Sequence, residues 1–182
     1  RWYNDRTSST DLWLIGNGGG TYEGSFKDNT QLEEGKNDGV ISMDDLVHIL
    51  RDEYGKSAVE ISTSAGNTIY KLIANVTIDN NNKDHFPMSI ESGKTFNGNN
   101  KTITYTGTSA WGGLFITNAD GASDSPITFT IENTTFNLQG ADLNTNDSCF
   151  LAKQEEDYNN ITIQNCHSRT SESKIIKQGG GI

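Results

Sequence analysis

The sequence predicts an all-β chain, most of it wound as a right-handed parallel β-helix, on three observations. Only 32% of its 182 residues are hydrophobic, too few for a thick core of packed helices but enough for strands that point every second residue inward. The apolar residues fall in short alternating, β-rich runs, an order that disordered chains lack. Two kinds of strand also take turns along the second half, with a motif that recurs after thirty-two positions, at Ile131 and Ile163.

Residues 1–40 read as a Gly-rich N-terminal segment or small β lobe. Asp11-Leu12-Trp13-Leu14-Ile15 reads as a strand, Gly16-Asn17-Gly18-Gly19-Gly20 as a turn that needs positive φ, and Thr21–Phe26 as a returning strand. No Lys-Ser/Thr pair and no helix pattern follow the glycines, which argues against a phosphate-binding loop. Residues 41–58 are expected to hold a capping helix and a linker. Ser42 is placed as N-cap with Asp45 three residues on, Leu46, Ile49 and Leu50 make an apolar stripe, and Gly55 ends the run from Met43 to Tyr54.

Residues 59–182 then read as strands separated by Asn, Gly, Asp and Ser turns. They are Val59–Ile61, Thr68–Ile73, Val76–Ile78, Met88–Ile90, Lys101–Tyr105, Ile127–Ile131, Phe136–Leu138 and Asn160–Ile163. Ile131-Glu132-Asn133-Thr134 and Ile163-Gln164-Asn165-Cys166 share one pattern of apolar, polar, Asn, small. A second set, around Leu114, Phe150 and Ile176, alternates with the first. Repetition in the same order favours stacked parallel coils over a β-sandwich, the rival fold for short alternating strands. Asn133 and Asn165 then occupy equivalent turns, where their side chains can stack and hydrogen-bond. Gly179-Gly180-Gly181-Ile182 looks like the start of a further coil, so the β-helix is expected to continue beyond the chain end.

Ser92-Gly93-Lys94-Thr95-Phe96-Asn97-Gly98-Asn99-Asn100-Lys101-Thr102-Ile103 resembles the segment that opens the β-helices of the pectin-lyase-like superfamily. The capped helix followed by Gly66-Asn67-Thr68-Ile69-Tyr70-Lys71-Leu72 is similar to that superfamily's N-terminal cap. Trp111-Gly112-Gly113-Leu114-Phe115 resembles the GGLF coil motif of non-catalytic surface and virion proteins. The resemblance spans residues 42–182. It implies a fold more than a function, since lyases, hydrolases, adhesins, tailspikes and capsid-associated proteins all use it. Spikes of this kind also suggest a homotrimer.

The residues themselves point away from catalysis. Asp44-Asp45 is the only Asp pair and sits where a helix dipole explains it; Thr145-Asn146-Asp147 has the wrong order for a polygalacturonase-like site; Arg169 lacks a lysine two positions on. His48, His85 and His167 share no spacing with cysteines or carboxylates, and Cys166-His167 neighbours in a strand point to opposite faces. A Ca²⁺ loop is outlined by Asp38, Ser42 and Asp45, but Lys36 stands where a ligand belongs and the last acid is Asp instead of Glu. No other cofactor is expected.

A net charge of −10 disfavours nucleic acid and anionic membrane surfaces as partners, and no apolar run is long enough for membrane insertion. Sequons begin at Asn75, Asn100, Asn133, Asn146 and Asn160, a density compatible with an extracellular or virion-surface protein. Cys149 and Cys166 form a disulfide or remain separate thiols; they close no metal motif. Tyr105, Trp111 and Tyr158 offer faces on which sugars could stack. The expected function is therefore a non-catalytic structural or attachment module of a virion or cell surface, with other structural subunits or host-surface glycans as partners. The alternatives are a polysaccharide lyase or hydrolase whose catalytic coils lie outside this segment, and a carbohydrate-binding adhesin.

Overall fold

A computed structural model describes residues 42–109, 111–117, 121–142, 151–153 and 158–170. Ten strands lie among them: β1 (Val59–Ser64), β2 (Asn67–Leu72), β3 (Val76–Ile78), β4 (Met88–Ser89), β5 (Lys94–Tyr105), β6 (Phe115–Thr117), β7 (Ile127–Leu138), β8 (Leu151–Lys153), β9 (Asn159–Gln164) and β10 (His167–Thr170). The first two form an antiparallel hairpin. Its turn is Ala65-Gly66, both with positive φ (51° and 81°), the backbone that a two-residue hairpin loop requires.

The strands assemble into two sheets. The larger runs β1-β2-β5-β7-β10, with β3 also beside β5 and β9 beside β7; the smaller runs β4-β6-β8. Every pairing except β1–β2 is parallel. The two long strands, β5 and β7, each serve two neighbours. The first part of β7 pairs with β9 and the last part with β10, while β5 is divided in the same way between β2 and β3.

Asn133 makes the division in β7. Its φ is +55°, a left-handed value that Asn tolerates better than most residues. The inward phase slips by one residue there, from Phe129 and Ile131 to Thr134, Phe136 and Leu138, all buried. The strand changes direction and still keeps its apolar side inward. In β5 the corresponding place is a bulge: Asn97 pairs with Glu132 and Lys101 with Thr134, so β5 carries extra residues that β7 does not match.

Aromatic rings fill the space between the sheets. Phe115 of β6 makes edge contacts with Phe96 of β5 at 5.2 Å and Phe129 of β7 at 5.3 Å. Trp111 stacks on Tyr105 at 4.8 Å and on Phe136 at 5.8 Å, with Phe86 edge-on to it. Such offset and edge arrangements add to what burial alone contributes.

Two expectations are corrected here. The expected right-handed parallel β-helix gives way to mixed, largely parallel sheets: the hairpin β1–β2 is antiparallel, and no closed solenoid is detected among the described residues. Nor is there a capping helix from Met43 to Tyr54. A 3₁₀ turn at Met43–Asp45 leads into a single α-helical turn, α1 (Leu46–Ile49), and Leu50 is already extended at φ −90°, ψ 114°. Asp52 explains the stop. Its side chain accepts the N–H groups of Tyr54 and Lys56 at 2.9 and 2.8 Å, and its own N–H donates to the Lys56 carbonyl. A short polar side chain thus takes donors that a helix would need. The stripe residues Met43, Leu46, Ile49 and Leu50 are nevertheless all buried. No helix among the described residues is long and apolar enough to cross a membrane. The Gly-rich segment 1–40 and the strands read around Phe150 and Ile176 lie outside the described residues, apart from β8.

Candidate functional site

Among the described residues, two gatherings of polar side chains stand out because they join segments that are far apart in sequence. The first is the bend shared by β5, β7 and the β9–β10 turn. The parallel register sets Asn97, Glu132 and Gln164 side by side. Asn97 Nδ2 donates to Glu132 Oε2 at 3.0 Å, and Gln164 Nε2 donates to Glu132 Oε1 at 3.0 Å. The carboxylate is therefore held between two amides, as charge-assisted hydrogen bonds.

A second row runs alongside. Asn165, with φ +57° like Asn133, donates from Nδ2 to Asn133 Oδ1 at 2.9 Å, and Asn133 Nδ2 reaches Asn97 Oδ1 at 3.5 Å. The stacking expected from the shared Ile-x-Asn motif is thus present. Replacing Asn133 with alanine is expected to lower stability by about 2 kcal/mol, from lost hydrogen bonds and the left-handed backbone together. Asn133→Gly, free of the backbone strain, should lose less. Urea denaturation of the two variants separates the contributions.

The second cluster fastens the turn before α1 to the larger sheet. Tyr70 is fully buried. Its hydroxyl donates to Asp44 Oδ1 at 2.6 Å and accepts from Lys94 Nζ at 2.8 Å. Lys94 pairs with Glu91 at 2.9 Å, and Glu91 Oε2 accepts the Met43 N–H at 3.2 Å. Burial, helped by the bond to Asp44, pushes the Tyr70 phenol up to about 12. For Lys94, burial opposes the charge, but its bonds to Tyr70 and Glu91 more than offset that and raise its pKa. A phenol so weakly acidic serves as a structural donor and makes no base at neutral pH.

A folded-state pKa raised above the unfolded one gives stability that is complete below about pH 10 and is lost as pH rises towards 12. Thermal melts over this alkaline window are expected to show falling midpoints, and Tyr70→Phe should flatten that dependence. At neutral pH the same variant should cost about 1–3 kcal/mol, because Asp44 and Lys94 lose their common partner.

The residues singled out from sequence fall in different environments. Tyr105 is completely buried, its hydroxyl donating to the Ser109 carbonyl, and Trp111 is 4% exposed against Tyr105 and Phe136. Neither ring has a face open to a sugar. Tyr158 is 53% exposed with φ +58°, so the three make no common platform. Asp45 Oδ2 accepts the Ser42 N–H at 3.1 Å, and burial raises its pKa, which suits a cap better than a cation ligand. Asp38 lies outside the described residues, among which no group of three or more His, Cys, Asp or Glu side chains could hold a metal ion.

Of the sequon asparagines, Asn75, Asn100 and Asn160 are exposed and Asn133 stands in the amide row, while Asn146 lies outside the described residues. Cys166 is half-buried, its thiol directed at the carbonyls of Gln164 (3.3 Å) and Ile131 (3.7 Å), and burial raises its pKa. Cys166 is a free thiol, the second of the two states the sequence left open, and Cys149 lies outside the described residues. The Tyr70 cluster escaped sequence reasoning because Asp44, Tyr70 and the Glu91–Lys94 pair belong to no one shared motif. Only the presence of a hydroxyl in an otherwise apolar inward position of β2 hinted at a partner. Comparison with protein-family models, with curated proteins and with solved structures returned no match for this chain.

Proposed function

We propose that the chain is a non-catalytic structural or attachment module of a particle or cell surface. The observation that carries this reading is how its ionisable side chains are used. Glu132 is held between the amides of Asn97 and Gln164, and Tyr70, Lys94, Asp44 and Glu91 are engaged with one another. These groups are bonded to side chains of other segments, where they fix register and rigidity. The net charge of −10 favours partners other than nucleic acid, and the exposed Asn- and Thr-rich strands suit contact with glycans or neighbouring protein subunits.

A glycan-binding array and a polysaccharide-cleavage screen, run side by side on the purified protein, test the reading. No cleavage is expected. Glycan binding without cleavage supports an attachment role, and neither binding nor cleavage supports a structural one. Release of reducing or unsaturated sugar ends overturns the proposal.

A further inference from the structure

The sequons are not equivalent, and the difference between Asn100 and Asn133 lies in what each amide already does. Asn100 is exposed, with a left-handed φ of +60°, in the β5 bulge. Register passes from Asn97↔Glu132 to Lys101↔Thr134, so Asn100 has no counterpart on β7. Its side chain holds no hydrogen bond among the described residues, whereas its neighbour Asn99 is tied to the Leu72 carbonyl at 3.0 Å. The bulge therefore presents the Asn100 amide outward on a backbone held from both sides, by Asn99 and by the Thr102 N–H bond to Asn75 Oδ1.

Asn133 is the opposite case. Its amide is the middle member of a row, accepting from Asn165 at 2.9 Å and donating towards Asn97 at 3.5 Å. Adjacent strands lie about 4.8 Å apart, so an oligosaccharide on Asn133 Nδ2 would have to displace one neighbour. The same contacts make the folded chain intolerant of a substituent there.

We propose that Asn100 is an N-glycan attachment site of this protein and that Asn133, despite its sequon, stays unmodified in the folded chain. In the transfer, Asn100 Nδ2 forms a bond to the anomeric carbon of a lipid-linked oligosaccharide pyrophosphate. The bond from that carbon to the pyrophosphate oxygen breaks, and the amide proton leaves with the released lipid pyrophosphate. Oδ1 remains an acceptor, and the sugar projects from the bulge into solvent. This deepens the surface-module reading above, but the test supplies the glycosylating compartment itself and so does not depend on it.

The chain is expressed with a secretion signal in a eukaryotic host, and glycopeptides of the secreted, folded protein are mapped by mass spectrometry before and after amidase release. Glycan on Asn100 and unmodified Asn133 is the expected result. Thr102→Val, which removes the sequon and keeps both Asn100 and a β-branched strand residue, should abolish the Asn100 glycopeptide while leaving the thermal midpoint of the deglycosylated protein within a few degrees. An unmodified Asn100 in secreted, folded wild-type protein overturns the inference, as does an occupied Asn133. Neither result bears on whether the protein binds or cleaves glycans.

Discussion

Replacing Phe115 with alanine is expected to cost about 3–5 kcal/mol, a large part of the 5–15 kcal/mol that holds a typical domain folded. Phe115 is fully buried. It is the one ring of the smaller sheet that touches two rings of the larger one, Phe96 and Phe129. Truncation removes both edge contacts and leaves a cavity between sheets whose backbones are fixed by their own hydrogen bonds, so collapse is limited. Phe115→Leu, which keeps most of the volume, should cost nearer 1 kcal/mol. Urea denaturation followed by tryptophan fluorescence reads both. A cost below about 1 kcal/mol for the alanine variant would show that the two sheets do not depend on this contact.

The second large effect is expected at a residue with no side chain. A Cβ on Gly98 would meet the Asn133 carbonyl oxygen at 2.6 Å and Thr134 Cα at 2.7 Å, and would also run into Thr134 Oγ1. These atoms belong to β7, where Thr134 is 1% exposed. Gly98→Ala must therefore push β5 and β7 apart at the bend, and the expected loss is about 3 kcal/mol, the upper part of the usual range for overpacking. Adding Thr134→Ala should restore little, because two of the three obstructing atoms are backbone. Full recovery in the double variant would place the conflict on the hydroxyl alone. Circular dichroism melts of the single and double variants decide between them.

Strand positions were largely legible in the sequence, because alternation is local. Val59, Ile69, Ile78, Ile103 and Ile163 all sit in strands where the period-two pattern put them. The equivalence of Asn133 and Asn165 was legible too, as both follow the same apolar–polar pair. Two things were not. The run from Ile127 to Leu138 reads as two strands, since Glu132-Asn133-Thr134 breaks the alternation, yet it is one strand whose phase is reset by a left-handed Asn. A single φ value carries that difference, and alternation does not encode it. Similarly, the apolar stripe of residues 43–50 matched a helix and is buried as one would be, but competition from the Asp52 carboxylate ended the helix after one turn. How successive strands are joined is decided by such turns, and a repeat of alternating strands does not specify them. The candidate site divides along the same line. Its amide row follows from a repeat, while the Tyr70 cluster draws on three separate stretches of chain and has no sequence signature.

The parallel register also governs how the chain reaches its native state. Apart from the β1–β2 hairpin, each strand finds its neighbour only after a long intervening stretch; the bonds that align β5 with β7 and β7 with the β9–β10 turn span 35 and 32 residues. Every such pairing must first overcome the entropy of closing a loop of that size. Contacts of this kind belong to slowly folding proteins. β7 offers an aligned template to β9 and β10 only once β5 has received it, so assembly is expected to proceed in one direction along the chain, with the hairpin as its starting point. The same separation should act in reverse: residues held by many distant partners come apart together, so slow unfolding is the expected counterpart of slow folding.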